Sequence, residues 1–215
     1  MPESTFVRAR RPEQKEQRRE AILSAARELA SGSGVRQVSL GNVAAAVGLA
    51  KSNLVRYFGT REEIFLVLAV DEWHGWAGDV LTRLSNGEGP VDALAEPFAA
   101  RPLFCDLLSQ MGATLEHNIS VSAARDFKRA VNTINGELAD AITRALPTVT
   151  VGEARELAAQ APMLAGTYYP ATHPPRTLAE LYAQEPELAA DCPALVPSLK
   201  RTLAAMAAGL PALRT

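Results

Sequence analysis

The chain has 215 residues, 47% of them apolar, and a formal net charge of −2, enough apolar matter for one or two packed domains. The charge is uneven: residues 1–61 carry +6 and residues 62–215 carry −8, which suits a polyanionic partner for the first part and another task for the rest. Two cysteines, Cys105 and Cys192, exclude a disulfide framework, no secretory signal pattern opens the chain, and no apolar run approaches the ~20 residues that span a bilayer, so a cytoplasmic, membrane-free protein is expected.

In chain order, residues 1–11 read as a flexible basic arm, in which Arg8, Arg10 and Arg11 either reach into a neighbouring groove or form a solvated tail. From Pro12 to about Ser31 the apolar residues Ile22, Leu23, Ala26, Leu29 and Ala30 recur on one face of a helix. Ser39 is a natural N-cap for a helix over Leu40–Val47, and Gly48 supplies the reversal before a second short helix from about Lys51 to Tyr57. Val43, Val47, Leu49 and Leu54 form the seam between these two, and small Ala44 lets them cross closely. Thr60 and Glu63 make a capping box opening a longer connector helix to about Leu84.

After a turn-rich break at 85–90, short helices are expected over Val91–Ala100 and Leu103–Gly112, then a long one from Val121 to Leu146. A second capping box, Thr150 with Glu153, starts a helix to about Tyr168 with a kink at Pro162, followed by a loop over Pro170–Pro175. A third box, Thr177 with Glu180, opens another short helix, and the last runs from Ala194 to Leu210. No alternating strand pattern appears. The expected architecture is all-α, divided into the arm (1–11), a three-helix DNA-binding domain (12–59), the connector helix (60–84) and a helical C-terminal domain (85–215).

The pair of helices around Gly48 has the form of a helix-turn-helix with its recognition helix second. Its outward residues are Lys51, Ser52, Asn53, Arg56 and Tyr57. Lys51, Ser52, Asn53 and Arg56 are base-edge candidates, since an Arg forks onto guanine and an Asn onto adenine. Tyr57 either contacts phosphate or a thymine methyl, or packs beneath the helix. Arg61, Thr60 and Ser39 are phosphate candidates at helix starts, with pure capping the competing role for the last two. On this reading Arg56→Ala relaxes sequence preference, while Arg61→Ala weakens all sequences alike and flattens the salt dependence.

This order of elements, with KSNLVRYF at 51–58 and REEIF at 61–65, resembles the TetR family of bacterial transcriptional regulators over roughly residues 14–76. The resemblance implies a homodimer on a palindromic double-stranded operator, a C-terminal domain that binds a small-molecule effector, and dimerisation through helices near 153–169 and 194–210. It implies repression relieved by the effector. Two positions depart from the family pattern: Val55 stands where many members have a tyrosine, and Gly41 where the tetracycline-responsive member has a base-reading arginine. Operator sequence therefore does not carry over.

The effector pocket implied for the C-terminal domain has Trp73, Trp76, Phe104, Met111, Phe127, Tyr168 and Tyr169 as candidate lining, with Glu116 and His117 as its polar cluster. For the apolar ones core packing competes. No His or Cys pair has metal-ligand spacing, so neither a metal nor a cofactor is expected. Two other readings stand beside the leading one: an enzyme using Glu116 and His117, which lacks a nucleophile motif or a phosphate-cradling loop, and a non-specific architectural DNA binder, which leaves the long acidic remainder unexplained.

Overall fold

The computed structural model describes residues 10–214, with backbone alone for Arg10, Arg11 and Pro12. Among the described residues there are ten α-helices and no strand: α1 (Arg10–Ser33), α2 (Leu40–Ala46), α3 (Lys51–Leu54), α4 (Arg61–Ser85), α5 (Pro90–Ala95), α6 (Pro102–Gln110), α7 (Val121–Ala145), α8 (Val151–Thr172), α9 (Arg176–Gln184) and α10 (Leu195–Gly209). None is long and apolar enough to cross a membrane. The predicted arm lies outside the described residues up to Ala9, and α1 already begins at Arg10.

The N-terminal unit folds as the pattern dictates. Ile22 and Ala26 of α1 pack with Val43 and Ala44 of α2, Leu54 of α3 and Phe58, all buried. Val47 and Leu49 are only half-buried. Gly48 takes φ +65°, and a Cβ there would meet nothing within 4 Å. The glycine is thus needed for its left-handed backbone and not for space. Ser39 and Asn42 cap α2 reciprocally: Asn42 N donates to Ser39 Oγ (3.1 Å) and Ser39 N to Asn42 Oδ1 (2.8 Å).

Helix α4 is the spine. Its buried face, Ile64, Phe65 and Leu68 followed by Trp73, Trp76 and Val80, serves the N-terminal core at one end and the C-terminal core at the other. There it packs on α5, α6 and α7, while α8 covers α6, α7 and α10. At the α6–α8 crossing Gly166 is so close that a Cβ would lie 2.8 Å from the carbonyl carbon of Leu108. Cys105 is fully buried, its Sγ 3.7 Å from Phe98 O. Burial pushes that thiol up to about 12.

Three expectations fail locally. Helix α8 runs through Pro170 to Thr172, where a loop was expected from Pro170. Helix α9 starts at Arg176 with no side-chain cap, so Thr177 and Glu180 do not form a box; Glu180 instead pairs with Arg176 at 2.7 Å. Between α6 and α7 the chain makes a π turn over Met111–Leu115.

The Thr150–Glu153 box forms as expected, Thr150 N donating to Glu153 Oε2 at 2.7 Å. Glu153 is buried and also takes Arg214, with Nε at 2.8 Å from Oε1 and Nη2 at 2.5 Å from Oε2. Arg214 first, and then the Thr150 amide, hold the Glu153 carboxyl down to about 2, against an ordinary value of 4.5. A carboxylate with a depressed folded-state pKa contributes stability that is complete above its unfolded pKa and disappears as the pH falls through its folded one. Melting curves of wild type and Glu153→Gln are expected to differ most near neutrality and to converge between pH 4.5 and about 2. A gap that stays constant across that window would remove this pair as its source.

Candidate nucleic-acid interface and its anchorage

The recognition element is short. It is α-helical from Lys51 to Leu54 and closes with turns in which Tyr57 N and Phe58 N both reach Leu54 O, at 2.8 and 3.2 Å. Leu54 and Phe58 are buried and pin it to the core, while Lys51, Ser52, Asn53, Val55 and Arg56 are exposed. Among the described residues, the side chains of Lys51, Ser52, Asn53 and Arg56 make neither an ion pair nor a hydrogen bond within the chain. All four are exposed, with donors and acceptors uncommitted. Tyr57 is half-buried and packs against the core. The Arg19 guanidinium lies over the Phe58 ring at 4.2 Å, a cation–π contact that further fixes the end of the element.

Arg61 corrects the sequence reading. Its Nε donates to Val38 O, its Nη2 to Val35 O, and its Nη1 to Glu62 Oε1 at 3.1 Å, while the guanidinium sits 4.7 Å from the Phe65 ring centroid. The side chain turns inward onto two backbone carbonyls, Val38 O at the exit of the 3-10 turn Val35–Gln37 and Val35 O, which also takes the Val38 amide at 3.3 Å. It holds the entrance to the helix-turn-helix through bonds made within the chain. Ser39 and Thr60 both cap, Thr60 Oγ1 accepting from Glu63 N at 3.2 Å. The side chains of Arg10 and Arg11 lie outside the described residues.

Glu63 supplies only half of the expected box. Its carboxylate does not return to Thr60 N; Oε2 accepts from Gly59 N and Oε1 from Ser120 N, each at 3.0 Å. Burial pushes its pKa up, but the bonds from Ser120 and Gly59 outweigh this and hold it below the ordinary carboxylate value. One carboxylate thus joins the end of the recognition element to the start of α7. Asp106 of α6 makes a second such link, accepting from Val35 N at 2.7 Å. Arg27 of α1 adds a third, to Glu72 (2.6 Å) and Asp71 (3.2 Å) of α4. Sequence reasoning passed over Asp106, although a lone charge in the apolar run LFCDLL was a signal.

The predicted pocket residues separate into three groups. Trp73, Trp76, Phe104 and Phe127 are buried against one another, with Trp73 and Phe104 centroids 5.4 Å apart edge-on and Trp73 and Phe127 6.1 Å apart. Phe98, not anticipated, stacks on Trp76 at 5.3 Å. Met111, Tyr168 and Tyr169 pack half-buried around this cluster's domain, with Tyr168 Oη 3.0 Å from Thr202 Oγ1. Glu116 and His117 are corrected: both are exposed, Glu116 pairing with Lys128 at 2.5 Å. The π turn ends just before them and the chain swings outward through Asn118 at φ +54°. Two buried polar atoms have no hydrogen-bond partner among the described residues, Trp73 Nε1 and Asn135 Oδ1. Phe127 also lines a groove of about 350 Å³ against Tyr57, Phe58 and Val70.

Residues 22–68 match the family model described as bacterial regulatory proteins, tetR family, and residues 70–214 that of the tetracyclin repressor-like C-terminal domain. Three solved structures share the fold. FadR of Thermus thermophilus, a TetR-family transcriptional repressor in complex with lauroyl-CoA, superimposes with a TM-score of 0.56 at 20% identity, covering 87% of this chain and 92% of that one. A TetR transcriptional regulator from Rhodococcus sp. RHA1 gives 0.57 at 16% identity, with 94% and 99% covered. The fatty acid degradation regulator FadR of Bacillus halodurans gives 0.53 at 11%, with 91% and 99% covered. No curated protein matches the chain in sequence.

Proposed function

This chain belongs to the tetR family of bacterial regulatory proteins, and we propose that it acts as a dimeric repressor that a small-molecule effector releases from a palindromic operator. As a family member it is a DNA-binding transcriptional regulator and not an enzyme, which sets aside the catalytic reading of Glu116 and His117. The observation that carries the DNA-binding part is the uncommitted row Lys51, Ser52, Asn53 and Arg56, held outward by buried Leu54 and Phe58. Ser39 and Thr60 stand at the flanking helix starts, where backbone N–H groups favour phosphate. The same fold in both subunits of a cytoplasmic dimer would read two half-sites one helical turn apart, ~34–36 Å.

The effector would enter the aromatic cluster of the C-terminal domain. Such a ligand needs an apolar body to replace ring–ring contacts and an acceptor for the unpaired indole N–H of Trp73. Release follows when the ligand prefers the dimer form whose half-site spacing mismatches the operator; affinity shared equally by both forms shifts nothing. Lauroyl-CoA, bound by the Thermus protein, is a concrete first probe. Quenching of Trp73 and Trp76 fluorescence together with operator release supports this pocket. Operator release without any change in tryptophan emission moves the effector elsewhere.

Selection from a random DNA pool tests the reading directly. Enrichment of an inverted repeat is expected, and a pool that stays unenriched over bulk DNA would favour an architectural binder and overturn the proposal. On the selected site, Arg56→Ala is expected to lose about 1–3 kcal/mol of discrimination at one base pair per half-site, with contacts elsewhere intact. A uniform loss over all sequences would mean that Arg56 serves phosphate instead.

A further inference from the structure

We propose that Asp106 is the positioning residue through which the C-terminal domain sets the angle of the helix-turn-helix, by holding the Val35 amide; the proposal rests on the dimeric DNA-binding reading above. The turn Val35–Gln37 lies directly before the Ser39 cap of α2, so whatever fixes the turn fixes the start of the motif. It is gripped from two sides. Arg61 of α4 takes the carbonyls of Val35 and Val38, and Asp106 of α6 takes the N–H of Val35 at 2.7 Å. Gly34, at φ +85°, presents the amide to the carboxylate, and a Cβ on it would stand 3.6 Å from Asp106 Oδ2. The left-handed turn at Gly34 is therefore part of the joint.

What distinguishes Asp106 from Arg61 is where its helix is anchored. Its neighbours Phe104, Cys105 and Leu107 are buried in the C-terminal core, with Phe104 in the aromatic cluster. Two residues on, Leu108 touches the Gly166 backbone of α8 too closely for any side chain between them, so a shift of α8 bears directly on α6. Tyr169 of α8 also senses this charge: burial, and then Asp106 and Cys105, push its hydroxyl upward. Beyond Gln110 the helix passes into the π turn Met111–Leu115, an element associated with local register adjustment at functional sites. Displacement of α8 or of Phe104 is thus delivered by α6 as displacement of Asp106, 71 residues from the amide it holds. The physical content is a pair of packed helices and one hydrogen bond from a backbone amide to a side-chain oxygen.

The test is operator binding as a function of half-site spacing, using the pool-selected operator re-spaced by inserting or deleting base pairs. Asp106→Ala is expected to keep half-site sequence preference while its discrimination between the selected spacing and its neighbours falls by about tenfold. A role in stability alone would lower binding at every spacing together and leave the ratio unchanged, which overturns the proposal. Asp106→Asn retains an oxygen that accepts from Val35 N and is expected to keep the wild-type ratio. An Asn variant as relaxed as the Ala variant assigns the effect to charge and also overturns it. Should the Ala variant fail to fold, Asp106→Glu carries the test: the same charge on a longer arm is expected to shift the preferred spacing, and an unshifted optimum counts against the inference. If wild type itself selects no DNA, the parent reading fails, and that result is separate from these.

Discussion

Gly166→Ala is expected to destabilise the protein by about 1–3 kcal/mol, the usual range for overpacking a tight interior. The added Cβ would lie 2.8 Å from the carbonyl carbon of Leu108 and 2.9 Å from its oxygen and its Cβ. Most of those atoms are backbone inside α6, so no rotamer change relieves the clash, and α6 and α8 must separate. Their parting loosens the buried row Phe104, Leu107, Leu157, Ala161 and Ala165, and packing at interior density falls off steeply with sub-ångström gaps. For a chain of this size each kcal/mol lowers the melting temperature by about 2–4 °C. A calorimetric scan that superimposes on wild type would show that the crossing is looser than described.

Arg61→Ala is expected to weaken operator binding strongly while leaving its salt dependence unchanged. The guanidinium holds Val35 O, Val38 O and Glu62 at once and covers the Phe65 ring. Its removal leaves Val38 O without this donor and Val35 O with the Val38 amide alone, at 3.3 Å, and each lost charge-assisted bond is worth about 1.5–3 kcal/mol. The folded state and the entrance to the motif therefore suffer together. Counterion release is set by the number of phosphates neutralised, and this side chain is committed within the protein. Binding isotherms over a salt series decide the matter: a slope reduced by about one unit would return Arg61 to the phosphate backbone, as the sequence suggested.

Arg61 shows the general limit of the sequence. Features that depend on residues a few positions apart were legible: the Ser39 cap, the left-handed Gly48, the Thr150–Glu153 box and the outward face of α3 all lie within one turn of their partners. Features that depend on distant partners were not. Glu63 has the spacing of a box but finds Ser120 N, 57 residues on, at 3.0 Å. Asp106 reads as one charge in an apolar stretch until the fold sets Val35 beside it. Pro175 caps α9 two residues ahead of where Thr177 would have capped it, and the pair Arg176–Glu180 takes the glutamate. The π turn has no sequence signature, so Glu116 and His117 were placed inward when the chain carries them outward. Among the aromatic candidates only Trp73 and Trp76 share a helix at a three-residue spacing, which puts both on one face of α4 whether that face is core or cavity.

The buried thiol of Cys105 has a further consequence. Nucleophilic attack on peroxides and disulfides needs the thiolate, and a group that ionises only near pH 12 offers almost none of it at neutrality. Oxidants that act on thiolates therefore find Cys105 unreactive. The half-exposed Cys192, in the segment joining α9 to α10, is the more accessible of the two thiols.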